Sequence, residues 1–459
     1  MFAPRFLAVI AVTAPFATAT LADSDLDRIP QSATPLPQDD LSPSPSGQVL
    51  YLQSDLSLGA LRDGLVIPLP PPAPPSWEAR IFLDARTRWR LTDNVNFIYS
   101  GRFNLRAEDG IAFPSREDVR HDLREGYIAW AGSNGTFLDF GRINLKSGVA
   151  MGFNPTDFFK TRAVVEADSA DPSVLREDRL GTLMFCAQQD WDGGAVTFAL
   201  APQVADETAP YLNTNLPNFN PMFDRTNAHT RALLKVSFHL LDDVSPEVLA
   251  YAEDGQMRYG LNATKAVGHA VVAYLEWSGG DRASLVQDAT VDGQETGVLP
   301  PFTPIPESAM RSFQNDLALG ASYATQSEVT LNLEYEYHQA GFSGADWRNW
   351  FDAGGNLAID SELWFIRGYA ADQQEPVARA SVFLRADWQD AFIHNMELAG
   401  FVDTDTQDGS GFLQFSGDYY LSRSWTVGAL ATTTFGGRHS DFGSLPTGSA
   451  VLFKVRRYL

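Results

Sequence analysis

The sequence predicts an all-β protein, a transmembrane antiparallel up-and-down β-barrel of about eighteen strands. Three observations predict it. Residues 77–107 alternate with period two over strands longer than those of soluble sheets. Short turns and long connections follow one another down the chain. No apolar run after the first two dozen residues reaches the roughly 18 needed for a spanning helix.

In WEARIFLDARTRWRL (77–91), Glu78, Arg80, Asp84, Arg86, Arg88 and Arg90 share one face, with Phe82 the one uncharged member of that series. The other face, from Trp77 through Ile81 and Trp89 to Leu91, carries no charge. After a turn at Thr92-Asp93 the alternation resumes. Val95, Phe97, Tyr99, Phe103 and Leu105 oppose Asn96, Ser100, Arg102, Asn104 and Arg106. Strands of soluble proteins average about five or six residues. A hairpin this long, apolar on one side and charged on the other, suits lipid outside and water inside, with every backbone group paired to a neighbouring strand.

Composition agrees. The chain has 459 residues, 44% hydrophobic and 20% charged, yet its mean hydropathy is only −0.17. Barrels evade hydropathy because half of each strand faces water. A net charge of −23 excludes a nucleic-acid partner, whose phosphates require basic patches. The acids are dispersed rather than set in metal-ligand spacing, so they read as solvated loops, with no metal and no cofactor expected. Cys186 is the single cysteine, which excludes an intrachain disulfide. It alternates with Thr182 and Met184 against Leu183 and Phe185, and reads as a small wall-filling residue rather than a nucleophile.

Residues 1–22 read as a signal peptide: Arg5, an apolar stretch from Phe6 to Phe16, and small residues allowing cleavage after Ala22. Residues 23–47 are acidic and rich in Pro and Ser, with too little apolar surface to fold, and read as a disordered periplasmic tail. The barrel is expected over 48–459. QVLYLQSDLSL (48–58) is strand-like, and IPLPPPAPP (67–75) is expected to be polyproline II.

From residue 77 onward, short turns are expected at 92–93, 133–134, 192–193, 242–243, 267–268, 326–327, 389–390 and 423–424. Longer connections are expected at about 108–120, 147–179, 202–228, 279–312, 340–376, 404–410 and 436–447, and one short one at Asp254-Gly255. Short turns on one rim and long loops on the other describe outer-membrane barrels, whose short turns are periplasmic. Turn parity then makes 48–58 the first strand, crossing outward. The count becomes eighteen with both termini periplasmic. Sixteen is the alternative, since Leu65-Val66-Ile67 and SELWFIRGYA (361–370) compete as strands. The last strand, GSAVLFKVRRYL (448–459), alternates through Val451, Phe453 and Val455, and Arg457 interrupts it.

The richest segment is FLDFGRINLKSGVAMGFNPTDFFK (137–160). A strand carrying Arg142, Asn144 and Lys146 runs into a loop with Gly148, Gly152 and Asn154-Pro155-Thr156-Asp157-Phe158-Phe159. A Gly-Arg strand end, a Gly-containing turn and Asn-Pro-x-Asp resemble the motif of Gram-negative porin-like barrels, including families near the alginate-export type. The resemblance covers about this quarter of the chain. It implies an outer-membrane location and a pore-like or export role. The partners implied are outer-membrane lipid, the barrel-assembly machinery and a small-molecule solute, with periplasmic export components if the barrel exports. In such barrels an early loop often folds inward; here 148–178 would narrow the lumen, with Asn154, Pro155, Asp157, Phe158 and Phe159 as the constriction element. The alternative is a surface loop with an Asn-Pro turn.

Arg80, Arg86, Arg88, Arg90, Arg102, Arg106, Arg142, Arg379 and Arg385, with Lys146, are expected to face the lumen and meet carboxylate, sulfate or phosphate groups. The alternative is a wall ladder in which they pair with Glu78, Asp84 and Asp387. No catalytic residue is expected. The histidine candidates are His121 with Asp122, His338, and His439 with Ser440 and Asp441. Adjacent residues of a strand point apart, and no nucleophile motif is present. The expected function is a channel passing or exporting small polar, anionic solutes. A plugged barrel serving envelope assembly comes second and a barrel hydrolase last.

Overall fold

The computed structural model describes residues 48–69, 74–110, 119–165, 169–207, 219–238, 244–301, 311–355 and 357–459. The signal peptide, the tail, the 242–243 turn and part of 67–75 lie outside the described residues.

Eighteen antiparallel strands form one closed sheet. In chain order they are β1 (Val49–Leu61), β2 (Trp77–Arg90), β3 (Val95–Glu108), β4 (Val119–Ala131), β5 (Thr136–Ile143), β6 (Thr182–Trp191), β7 (Gly194–Ala201), β8 (Arg231–Phe238) and β9 (Val244–Glu253). Then follow β10 (Gln256–Val267), β11 (Val271–Arg282), β12 (Ser312–Ala324), β13 (Val329–His338), β14 (Ala380–Trp388), β15 (Met396–Asp405), β16 (Gly411–Ser422), β17 (Trp425–Phe435) and β18 (Thr447–Tyr458). Each strand pairs with its sequence neighbours, and β1 closes the circle on β18, from Tyr51 opposite Tyr458 to Leu58 opposite Val451. Closure leaves no edge, which is the condition for a sheet to stand in lipid. No helix is long and apolar enough to cross a membrane, among the residues described.

The period-two register of β2 holds. Arg80, Phe82 and Asp84 are buried inside, while Ile81 is 46% exposed on the outer face. The same exposure recurs around the circumference, at Ile128, Phe140, Phe185, Leu234, Leu333, Phe415 and Phe453. An apolar belt of this extent is a lipid-facing surface. The protein is a transmembrane β-barrel.

The count is eighteen, and both competing segments have other fates. Residues 361–370 lie in a helix, where Leu363, Ile366 and Ala370 recur at helical spacing and are buried. Leu65-Val66-Ile67 forms no strand; Ile67 packs into the same cluster. Among the described residues the long connections carry five helices: α1 (Pro172–Asp178), which lies within the barrel, and α2 (Phe223–Thr226), α3 (Leu285–Glu295), α4 (Gly344–Ala353) and α5 (Leu357–Gln373). Ser284 caps α3, and Ser343 with Asp346 forms a capping box on α4. Trp347, Trp350 and Phe342 bind α3, α4 and α5 into an apolar cap at the long-loop rim. The opposite rim has short turns, except that 389–395 is a seven-residue turn between β14 and β15.

Candidate functional site: a strut across the lumen and the eyelet beside it

The connection from β5 to β6, residues 144–181, folds into the barrel. Its first half packs against β6 to β13. Phe158 stacks on Tyr251 at 4.7 Å with the rings 12° apart, and Phe159 meets the same ring edge-on. Met184, Cys186, Ala199, Ala201, Leu233 and Leu249 complete this cluster. Cys186 is thus a buried wall residue, as its alternation implies.

Two wall glutamates hold the backbone of 149–152. Glu276 of β11 accepts from the Val149 and Ala150 N–H groups and, at 3.2 Å, from the Thr156 hydroxyl. Glu334 of β13 accepts from Met151 and, at 2.9 Å, from Gly152, while the Tyr274 hydroxyl donates to it at 2.5 Å. A carboxylate collecting several backbone donors satisfies groups that the turn would otherwise bury unpaired. The Asn154-Pro155-x-Asp157 element is the root of this packing. Asn154 donates to the Ser147 carbonyl at 2.8 Å, Pro155 is buried, and Asp157 receives a two-pronged bond from Arg179 at 2.8 and 3.0 Å. Burial alone would raise the Asp157 carboxyl, but Arg179 and Arg176 outweigh it and hold it below the ordinary carboxylate range.

The second half of the connection makes a strut. Helix α1 is seven residues, about 10 Å long. At its start Asp171 caps the Ser173 N–H and pairs with Arg385 of β14. At its end Asp178 pairs with Arg102 of β3 at 2.9 Å and Arg124 of β4 at 2.6 Å. Strands β3 and β4 stand well around the circle from β14, so the strut divides the lumen. Beside it a cavity of about 190 Å³ remains, walled by β1–β3, β14–β18 and α1.

The expected lumen arginines are mostly neutralised. Arg80 pairs with Asp55 (3.2 Å), Arg102 also with Asp84 (2.9 Å), Arg106 with Glu108 (3.3 Å), and Arg385 also with Asp387 (2.7 Å). Lys146 pairs with Glu177, which Arg86 approaches at 3.6 Å. Arg90 pairs with Asp93 in the turn at 2.5 Å. Arg88 is exposed and makes no ion pair among the described residues. Arg379 precedes β14 and donates to the Gly341 carbonyl at 3.4 Å, away from the cavity.

Arg142 departs from the expectation. It shares a strand face with Phe140, 62% exposed, and pairs in register with Leu183, whereas Gly141 pairs with buried Met184. Its face is therefore the outward one. It is buried because 221–226 folds over it: Arg142 donates to the Gly181 and Pro221 carbonyls and lies 5.2 Å from the Phe223 ring.

The residue missed is Arg456. It lines the cavity, lies 4.5 Å over the Tyr51 ring, and donates to Gln53 at 2.7 Å and to the Tyr458 hydroxyl at 3.1 Å. It makes no ion pair with a carboxylate among the described residues. Glu397, which lines the same cavity, accepts from Tyr420 at 2.7 Å and likewise has no cation partner among them. Lys454 and Asp418 beside them pair at 2.7 Å. Among the described residues none of the histidine candidates bonds a serine or cysteine: His338 is buried against Asp316 at 2.8 Å, His121 stacks between Tyr99 and Phe103, and His439 abuts Phe351.

No protein-family profile matches this chain, and no curated protein does. Solved structures similar to it include OccK11 (OpdR) of Pseudomonas aeruginosa, at 9% identity and TM-score 0.49, covering 90% of this chain and 95% of that one. A porin of Rhodopseudomonas blastica carrying three substitutions aligns at 12% identity and TM-score 0.39, over 90% of this chain and 99% of that one.

Proposed function

We propose that the protein is an outer-membrane channel for small polar solutes bearing an anionic group, and that solutes pass through the eyelet beside α1. The observation that carries this reading is Arg456. Among the described residues every other cation lining this cavity is paired with a carboxylate, whereas the Arg456 guanidinium has no carboxylate partner and is held by Tyr51 and Gln53. A planar donor held this way suits carboxylate or phosphate. Glu397 opposes it within the same cavity, so selectivity between simple ions is expected to be weak. On this reading the short-turn rim, where β1 begins and β18 ends, faces the periplasm. The partners on this reading are membrane lipid, the machinery that inserts barrels, and the solute.

Purified protein in a planar bilayer tests this. Stepwise conductance is expected, with a zero-current potential in a salt gradient weakly favouring anions. Arg456→Gln should move that potential toward cations and Glu397→Gln toward anions. A barrel that never conducts, or a potential indifferent to both changes, overturns the reading.

A further inference from the structure

We infer that the short-turn mouth of the barrel is a docking site for the chain's own acidic segment, residues 23–47, seated on Arg86, Arg88 and Arg90 of β2. The inference goes beyond the channel reading and uses a part of the lumen that the eyelet does not.

Three observations meet here. The first is charge. Arg86, Arg88 and Arg90 follow one another on the inward face of β2, becoming more exposed toward the short-turn rim. Arg86 is held loosely by Glu177 at 3.6 Å, and Arg90 by a turn acid, Asp93, that is itself almost fully exposed. Arg88 has no ion pair among the described residues, and Asp139 of β5 lies within its electrostatic reach. Residues 23–47, DSDLDRIPQSATPLPQDDLSPSPSG, contain Asp23, Asp25, Asp27, Asp39 and Asp40 against one base, Arg28.

The second is the point of attachment. The segment joins β1 through Gln48, whose side-chain amide donates to the Arg88 carbonyl at 3.5 Å, and Val49 pairs in register with Arg86. The third is reach. Seven residues separate Asp40 from Gln48, and extended chain spans at most about 3.3–3.6 Å per residue, so Asp39 and Asp40 can return to Arg88 with length to spare. Tethering makes the encounter intramolecular, with an effective concentration in the millimolar range for short flexible linkers. Weak surface pairs then suffice, and the attraction is salt-dependent.

The test uses the full-length protein in a Cys186→Ser background with a short bismaleimide. Gln38→Cys with Asn96→Cys places one thiol beside the aspartates and one opposite Arg90 in the register of β2 and β3. Gln38→Cys with Ser422→Cys places the second thiol on another sector of the same rim. Cross-linking is expected to be several-fold greater for the first pair, and to fall toward the second when Asp39 and Asp40 become Asn or when salt is raised to 1 M. Deleting 23–47 should move the zero-current potential toward anions while leaving conduction intact. Equal cross-linking of the two pairs, or yields indifferent to Asp39→Asn/Asp40→Asn, overturns the docking. Loss of conductance in every form would instead strike the channel reading and leave the cross-linking result standing.

Discussion

The two halves of the lumen are built from the same connection and differ in how its polar groups are answered. Along β6 to β13, wall carboxylates of Glu276 and Glu334 meet backbone N–H groups of 149–152, and aromatic rings fill the space between. Along β14 to β3, carboxylates of α1 meet arginine side chains, and about 190 Å³ stays open. Backbone donors cannot be moved away from their chain, so the first half is a fixed filling. Long side chains leave room at their free ends, so the second half keeps an open cavity. On the proposed channel reading, the filling on the far wall is what positions the passage.

The comparison breaks most directly if the filling is undone. Glu276→Ala with Glu334→Ala would strand four backbone donors, each costing about 1–3 kcal/mol when buried without a partner. Conductance is expected to rise several-fold, with noise from the released loop, while the barrel keeps its resistance to detergent until boiled. Unchanged conductance would show that the packing of Phe158 and Phe159 and the ion pairs of Asp171 and Asp178 hold the loop without the two glutamates.

A smaller effect is expected at the strut. Arg385→Ala removes the partner of Asp171 and Asp387 on β14, and breaking a buried pair costs about 3–5 kcal/mol. The Arg102 and Arg124 pairs to Asp178 remain, so α1 should swing rather than leave. Conductance should increase less than in the double glutamate variant and the filling should persist. An effect equal to or larger than the double variant's would make α1, rather than the far wall, the part that sets the passage.

Acid distinguishes the halves further. Asp157 titrates below the ordinary range of about 3.9 because Arg179 and Arg176 stabilise its charged form. A lowered folded value means that the stabilisation is complete above the unfolded value and is lost as pH falls through the folded one. The loop root should therefore hold unchanged from pH 7 to 5 and loosen only below the usual aspartate range. Asp157→Asn should abolish that threshold, giving noisy conductance already at pH 7. Quiet conductance from that variant would place the root elsewhere.

The barrel was legible because its signal is local. In 77–91 a one-residue slip would send five or more charges into lipid, so the register reads directly from the alternation. Arg456 is inward by the same rule, since Val451, Phe453 and Val455 point outward, but Arg457 beside it breaks the alternation and blurs the two faces at that end of the strand. The orientation of Arg142 was less legible. At Gly141 the backbone adopts φ +138°, where an added Cβ would lie 2.4 Å from the Gly126 carbonyl, and the cover over Arg142 comes from residues 80 positions away. Ion pairing was legible only along the wall, where the ladder alternative names Asp84 and Asp387, the partners of Arg102 and Arg385; the long-range part was not, since Arg102 also meets Asp178 across 76 residues and nothing in β3 announces it. The helices of the rim carried their own period in Leu363, Ile366 and Ala370, which a search for strands passes over.

The smallest effect concerns Arg88, and it sharpens the boundary between passage and mouth. Arg88 and Arg456 are both inward-facing arginines without an ion pair among the described residues, yet their surroundings differ. Arg456 lines the cavity against Tyr51, where the surrounding walls focus its field. Arg88 is exposed at the wide end, where salt screens a charge over about 8 Å at physiological strength. The comparison is made in protein lacking 23–47, so that no change at Arg88 acts through that segment. Arg88→Glu should then move the zero-current potential toward cations by less than Arg456→Gln does, even though it changes the charge by twice as much. The gap should widen in 1 M salt, where the mouth is screened and the eyelet is not. Asp206→Asn, in the β7–β8 connection on the long-loop rim, should barely register. If Arg88→Glu shifts the potential more than Arg456→Gln at both salt concentrations, the selective point lies at the short-turn mouth and the eyelet beside α1 is only a wide waist.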